Sequence, residues 1–456
     1  MRRRIHVVGI GGTGLSAIAR VLHERGESVS GSDQARNPLT DALARDGVPV
    51  AIGHRAENAA GADLVLVSSA VRGDNAEVAA ARQAGVPVLR REQFLGELTA
   101  GLRTVAVAGT HGKTTTTALV AWMLHHAGRR PGYILGGISP DLGGNGAGGG
   151  GSIFVVEADE YDRAFLGLHP SVGVVTNVEY DHPDVFPTPA DYRQAFEAFV
   201  DLVEVRLIVC GEDPGAKSLQ RQGVARETYG WSDDADWHAA DLQQNSAGGS
   251  DFLVFHRAAS LGLIRTRLPG RHNVLNVLAA IAAVETFGLT PAEVRQALTE
   301  FQGVERRFTI VAEAGGVVVI DDYAHHPSEV RATLEAVRAR LPGREVWAVF
   351  QPHTYSRTQA LAKEFATAFA DADHVVVLAV FASRESEREG IDAAWLVGQM
   401  RHPDVRPIQG IEEASQLFLN AVRPPAVLVT LSAGDGNRVG QLVTTALRDR
   451  DHAAGG

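Results

Sequence analysis

The sequence predicts an α/β protein of three consecutive domains, each on a doubly wound, mostly parallel sheet. Three observations lead there. At 456 residues the chain is too long for one typical domain. Apolar runs of strand length alternate with helical stretches, the pattern of strands joined by crossover helices. Three blocks, 1–100, 101–306 and 307–456, each carry strands that lead directly into glycine-rich or polar loops. Hydrophobic residues make up 45% of the chain, enough for several cores.

The first block opens with a strand over 5–8, then Gly9-Ile10-Gly11-Gly12-Thr13-Gly14, then a helix to about Gly26. A second strand begins at Ser28 and ends at Asp33, and 64–67 is a third. Gly9-x-Gly11-x-x-Gly14 followed by Asp33 matches the dinucleotide fingerprint, so this domain reads as Rossmann-like. Alone the motif indicates the diphosphate of some nucleotide with a ribose, not which one.

The second block begins with a buried strand over 104–108. It feeds Gly109-Thr110-His111-Gly112-Lys113-Thr114 and a helix over about 114–128. Glycines let the backbone wrap phosphate oxygens, and the helix N-terminus attracts the anion. Lys113 can reach the outer phosphates and the Thr114 hydroxyl can ligate Mg²⁺, with Thr115 beside it. Val107 stands where a standard P-loop has its first glycine, so the domain reads as P-loop ATPase-like with a shortened loop. A glycine-rich turn with a threonine cap is the bland alternative.

Strands over 153–156 and 172–175 end in Glu157, Asp159 and Glu160, and in Asn177, Glu179, Asp181 and His182. Carboxylates at strand ends beside a phosphate loop suit metal ions bridging ATP and a carboxylate acceptor. Solvated acidic loops and a satisfied histidine compete for any single residue. The block continues through a strand over 206–210 to an amphipathic helix after Asn273. His272 and Asn273 suit either a purine-edge contact or a helix cap. Two segments read as loops: 143–151, with seven glycines in nine residues, and the turn-rich 233–251.

The third block has strands over 317–320, 346–350, 375–378 and 427–429, with helices over 328–340 and 359–370. It reads as a second Rossmann-like sheet. Two strands release Asp321-Asp322-Tyr323-Ala324-His325-His326-Pro327 and Gln351-Pro352-His353-Thr354-Tyr355-Ser356-Arg357. Both clusters leave carboxyl ends, as a shared crevice requires. Arg357 can hold a substrate carboxylate bidentately, and His326-Pro327 can equally be a helix start.

Composition excludes several classes. Lys and Arg total 43 against 54 Asp and Glu, a net charge of −11, which disfavours nucleic acid. The single cysteine, Cys210, allows no internal disulfide. No apolar run approaches the ~20 residues of a spanning helix. The basic residues 2–4 run into an apolar stretch too short for a signal-peptide core. A cytoplasmic location, no membrane or nucleic-acid partner and a monomer or weak homodimer are expected.

In order along nearly the whole chain, Gly9–Gly14, Gly109–Thr117, Glu157–Glu160, Thr176–His182, His272-Asn273, Arg306-Arg307-Phe308, Asp321–Pro327 and Phe350–His353 resemble the Mur ligases. The first glycine loop and Phe350-Gln351-Pro352-His353 point to the branch that adds L-alanine. The resemblance implies a UDP-sugar domain, an ATPase domain and an amino-acid domain. It implies ligation of L-alanine to UDP-N-acetylmuramate through an acyl phosphate, with ATP and Mg²⁺, Mn²⁺ being an alternative ion. UDP-sugar contacts fall on Gly9, Gly11, Gly12, Thr13, Gly14, Asp33 and Ser69. ATP contacts fall on residues 109–115, His272, Asn273, Arg307 and Asp322. The metal falls on Thr114, Glu157 and His182, and the amino acid on Tyr323, His325, His353 and Arg357. Lys113, Glu157, His182, His325 and His353 are the implied catalytic set. His182, His325 and His353 are open candidates for the group that deprotonates the amine.

The chain departs from the family at Tyr161, where a small residue is usual, at Pro183-Asp184 and at Thr354, where some relatives have arginine. No lysine occurs between His182 and Lys217, so a carbamylated lysine has no candidate there. Three rival readings remain: a ligase joining an intact tripeptide to the same sugar, a nicotinamide-dependent oxidoreductase, and a non-catalytic nucleotide-binding subunit.

Overall fold

The computed structural model describes residues 2–454, with side chains to 450. Met1, Gly455 and Gly456, the outer ends of the first and third blocks, lie outside the described residues. The described residues form three sheets.

β1 (Arg4–Val8), β2 (Ser28–Asp33), β3 (Val50–Ile52), β4 (Leu64–Val67) and β5 (Val88–Arg90) form the first sheet, ordered β3-β2-β1-β4-β5 and wholly parallel. The chain leaves β1 to opposite sides, so the crevice at its carboxyl end is a topological switch point. The loop 9–12 and the helix Thr13–Glu24 start there.

The second sheet contains β6 (Arg103–Ala108), β7 (Gly132–Ser139), β8 (Gly144–Ala147), β9 (Ile153–Glu157), β10 (Val172–Val175) and β11 (Arg206–Cys210). It continues through β12 (Ala225–Gly230), β13 (Trp237–Gln244), β14 (Ser250–His256) and β15 (Ala259–Thr266). The order is β15-β14-β13-β12-β11-β10-β6-β9-β7-β8. β6 lies between β10 and β9, so the loop after it opens between their two acidic ends. The third sheet holds β16 (Thr309–Ala314), β17 (Val317–Asp322), β18 (Glu345–Gln351), β19 (His374–Val377), β20 (Val405–Pro407) and β21 (Ala426–Ser432), ordered β16-β17-β21-β18-β19-β20. Only β16 is antiparallel there. The central strands are buried on both faces, which is why they read as continuous apolar runs.

Four expectations need correction. The glycine-rich segment 143–151 is not a flexible loop: it contains β8, paired to β7 and laid on the helix Thr13–Glu24. A Cβ at Gly146 would sit 2.7 Å from the Ala17 carbonyl oxygen, so glycine is what lets two backbones touch. Asn145 is buried and donates to the Thr13 carbonyl and the Ser16 hydroxyl, both at 2.9 Å. The segment 233–251 holds β13, whose polar side chains alternate on an outer face. The helix Arg271–Glu285 is buried on almost every side, between the second sheet and its neighbouring helices, rather than amphipathic. The helix expected over 359–370 is two short ones, Tyr355–Ala360 and Ala362–Phe365. Among the described residues no helix is long and apolar enough to cross a membrane.

Candidate active site

β6 leads straight into the loop 109–112, and the helix Lys113–His126 follows. Gly112 has φ +77°, and a Cβ there would collide with the Asn276 side-chain oxygen; one at Gly109 (φ +137°) would collide with the Thr176 hydroxyl. The loop is braced from the end of β10. The His111 N–H donates to Asn177 Oδ1 (2.8 Å), and the Thr176 hydroxyl donates to the His111 carbonyl (2.5 Å). The Thr110 hydroxyl donates to the Glu179 carbonyl (2.8 Å). Lys113 Nζ folds back onto the carbonyls of Gly109 (2.6 Å) and Thr110 (3.0 Å) and onto Glu160 (2.8 Å). Burial favours its neutral form, but Glu160, Asp159 and Glu157 together outweigh burial and raise its pKa.

Thr114 Oγ1 donates to Glu157 Oε1 at 3.0 Å. Two hard oxygen donors at that spacing match an edge of an octahedron with Mg²⁺ bonds of 2.0–2.1 Å, about 3 Å. Burial raises the Glu157 pKa despite Lys113 nearby, so a cation there relieves an under-compensated carboxylate. The Thr114–Glu157 pair fits the ion.

His182 is engaged differently. It sits at φ +55° with Nε2 3.4 Å from Glu160 and Nδ1 3.3 Å from the Arg357 guanidinium. Arg357 forks onto Asp181, Nε to Oδ1 at 2.7 Å and Nη2 to Oδ2 at 3.1 Å. Both residues are almost fully buried. Desolvation opposes both charges; Arg357 nevertheless holds the Asp181 carboxyl well below its usual range. The expected bidentate partner of Arg357, a substrate carboxylate, is thus Asp181 in this structure. The pair ties the loop after β10 to the third domain.

A second tie runs through His111. Its Nε2 lies 3.1 Å from Glu179 and its Nδ1 3.3 Å from Glu329, which belongs to the helix Pro327–Arg340. Burial would lower its pKa, but hydrogen bonds to the two carboxylates lift it to about 9. The Ser328 hydroxyl donates to Glu179 at 2.6 Å. Glu329 also accepts from the His325 N–H (3.0 Å) and lies 3.5 Å from Arg307. Asp322 accepts the N–H groups of Phe308 and Ala324, both at 2.8 Å, and burial raises its pKa to about 6.

Two cavities meet at the loop 109–112. One, about 300 Å³, is lined by His111, Thr115, His272, Asn273, Arg307 and Asp322. The other, about 380 Å³, reaches all three domains: Gly12, Thr13, Gly14 and Ser69; Thr110, Lys113, Thr114, Glu157 and His182; Tyr323, His325, His353 and Arg357. Gly9, Gly11 and Asp33 line neither cavity and shape the first loop instead. The Gly9 N–H donates to the Ser32 carbonyl, and the Gly11 N–H to Asp33 Oδ2, both at 2.8 Å.

The cap alternative for His272 and Asn273 falls, because Gly270 caps that helix and Asn273 donates to the Pro269 carbonyl at 2.7 Å. The helix-start reading of His326-Pro327 holds: Ser328 N–H donates to His326 Nδ1 (3.3 Å), and Pro327 takes the first turn. Sequence reasoning missed Glu329, Arg91 and Arg384. Glu329 had a signal, since it stands three residues after the cap of its helix and closes the capping box. Arg91, 2.6 Å from Asp159, and Arg384, 4.0 Å from the Tyr161 ring, had none in the local pattern.

Comparison with known proteins agrees with this arrangement along the chain. The model of the Mur ligase family, catalytic domain, matches residues 4–103; the Mur ligase middle domain matches 107–284; the Mur ligase, glutamate ligase domain, matches 306–434. A UDP-N-acetylmuramate–L-alanine ligase of Roseiflexus sp. (strain RS-1) is 46% identical over 466 residues, covering 98% of this chain and 99% of that one. The solved UDP-N-acetylmuramate-alanine ligase MurC of Thermotoga maritima superposes with a TM-score of 0.82 at 30% identity, over 98% and 99% of the two chains. A murein peptide ligase of Psychrobacter arcticus shares the fold at TM-score 0.73 and 24% identity, over 98% of each chain. With three domain models matched in order and a relative 46% identical along nearly the whole chain, this chain belongs to the Mur ligase family.

Proposed function

We propose that this protein joins the amine of L-alanine to the carboxylate of UDP-N-acetylmuramate, converting ATP to ADP and phosphate, in the synthesis of a peptidoglycan precursor. The observation that carries this reading is the 380 Å³ cavity, in which the sugar-nucleotide loop, the phosphate loop and the histidine cluster face one another. The alanine ligases at 46% and 30% identity support the choice of substrates. The tripeptide-joining alternative rests on relatives at 24% and 29% identity, both below the 46% of the alanine ligase. We take 1–100 as the UDP-sugar domain, 101–306 as the ATP domain and 307–456 as the amino-acid domain, in a cytoplasmic monomer or weak homodimer.

Backbone N–H groups of 109–112 and the positive end of the helix Lys113–His126 hold the outer phosphates. Lys113 exchanges its loop carbonyls and Glu160 for the γ-phosphate. The muramic carboxylate then attacks phosphorus, ADP departs, and an acyl phosphate forms, with the Lys113 charge matching the charge that spreads over the transferred group. A Mg²⁺ ion held by Thr114 and Glu157, replaceable by Mn²⁺, supplies neutralisation of phosphate charge when bound. His182 is the third residue we assign to metal binding. It would have to give up its contact with Arg357 or Glu160 to serve. His272 and Asn273 border the base, and Arg307 and Asp322 the ribose end of the nucleotide. Closure of the domains keeps water from the acyl phosphate.

The acyl phosphate is testable without any amine. Borohydride added to enzyme, ATP and UDP-N-acetylmuramate should yield the sugar nucleotide with its carboxylate reduced to an alcohol. No reduced sugar nucleotide, with ADP still forming, would contradict acyl-phosphate chemistry.

A further inference from the structure

Three histidines are candidates to take the proton from the attacking amine, and their partners separate them. An arginine can only donate and a carbonyl can only accept, so each partner fixes which ring nitrogen carries hydrogen. His325 Nδ1 lies 2.9 Å from the Tyr323 carbonyl oxygen. That nitrogen therefore carries the proton, and Nε2 presents a lone pair. His353 is the opposite case. Its Nδ1 lies 3.1 Å from Arg357 Nη1 and must accept, so its Nε2 carries the proton. His182 also spends its Nδ1 on Arg357, at 3.3 Å, and turns Nε2 to Glu160. Both His325 and His353 line the 380 Å³ cavity, with ring centres 5.6 Å apart.

We infer that His325 is the catalytic base of the amide-forming step, accepting the amine proton at Nε2, and that His353 is a donor that binds the amino-acid carboxylate through its Nε2–H. The inference rests on the ligase reading above. L-Alanine attacks as the free amine. Its nitrogen lone pair forms the C–N bond, the bond from the acyl carbon to the phosphate oxygen breaks, and its electron pair leaves with inorganic phosphate. The nitrogen becomes strongly acidic as the C–N bond forms, so a weak neutral base suffices. Its proton passes to His325 Nε2. The imidazolium so formed keeps its Nδ1–H on the Tyr323 carbonyl and has Glu329 Oε2 3.5 Å from Nδ1. Glu329 is thus a positioning residue: it accepts the His325 backbone N–H and faces the ring that gains charge. Burial keeps His325 near a pKa of about 4 and His353 near about 2, so both are neutral before reaction.

The test compares two amines in one variant. His325→Gln should lower kcat with L-alanine by about 10²–10⁴-fold, the usual span for a lost general base. With hydroxylamine, whose nitrogen is already weakly basic, the loss should be under tenfold. Borohydride trapping should show the acyl phosphate formed as in the wild type. His353→Gln should raise the KM for L-alanine at least tenfold with a smaller change in kcat. ¹⁵N spectra of the wild-type ring nitrogens should show His325 protonated at Nδ1 and His353 at Nε2. Equal losses with both amines, or the reverse tautomers, would overturn the assignment. Failure to trap acyl phosphate in the wild type would instead remove the ligase reading on which it rests.

Discussion

In the proposed reaction Lys113 is the residue on which ATP use turns. Lys113→Ala should abolish phosphate release while UDP-sugar binding, measured by calorimetry, stays nearly intact; loss of both would contradict separate sites. Arg357 separates two roles. If it braces Asp181, Arg357→Ala strands a buried carboxylate and should cost about 3–5 kcal/mol of stability. A pure substrate contact would raise the KM for L-alanine and leave the urea midpoint unmoved. His111 gives a pH prediction. Its pKa is raised from 6.5 to about 9 on folding, so its stabilisation is complete below about 6.5 and is lost as pH rises through 9. Glu179, at about 2, stays ionised over that range and adds no slope. The stability difference between wild type and His111→Asn should shrink by at most about 3 kcal/mol between pH 6.5 and 9.5 in urea melts; a constant difference would contradict a charged His111. Lys113, Thr114 and Glu157 were legible because their chemistry is local to strand–loop junctions. Glu329 and the Arg357–Asp181 pair were not, because their partners lie in other parts of the chain.

Among elements, the central strands of the first and third sheets and the strands beside the phosphate loop were readable, since strands buried on both faces are continuous apolar runs; the edge strands β3, β5, β16 and β20 are half-exposed and were not. The β7–β8 hairpin was not. Glycine composition signals freedom in an isolated segment, but here it signals backbone contact, as where Gly146 lies against Ala17. Gly146→Val should therefore destabilise the protein by about 1–3 kcal/mol, read as a lower urea midpoint at unchanged slope. An unchanged midpoint would restore the flexible-loop reading. β13 to β15 were not legible for a different reason: their outer faces are polar, and the turn before β14, Asn245-Ser246-Ala247-Gly248-Gly249, has the composition of a loop.

At the scale of the whole molecule, loops from all three sheets converge on one cavity. Each sheet contributes residues at the carboxyl ends of its strands: the glycine loop at Gly12–Gly14, the loop 109–112 with Glu157 and Asp159, and the histidines His325 and His353. Two ionic ties, Arg357 to Asp181 and His111 to Glu179 and Glu329, hold the third domain against the second. Sequence order alone announced the three parts, but not that their loops would face each other, because domain placement depends on contacts between distant segments. The central claim is the identity of the acceptor and its amine. The most direct measurement is phosphate release with ATP and UDP-N-acetylmuramate, supplying L-alanine, glycine, L-serine or the intact tripeptide in turn. Release that depends on L-alanine and yields its amide with the sugar nucleotide is the predicted result. Release supported only by the tripeptide, or by none of these amines, would contradict the account.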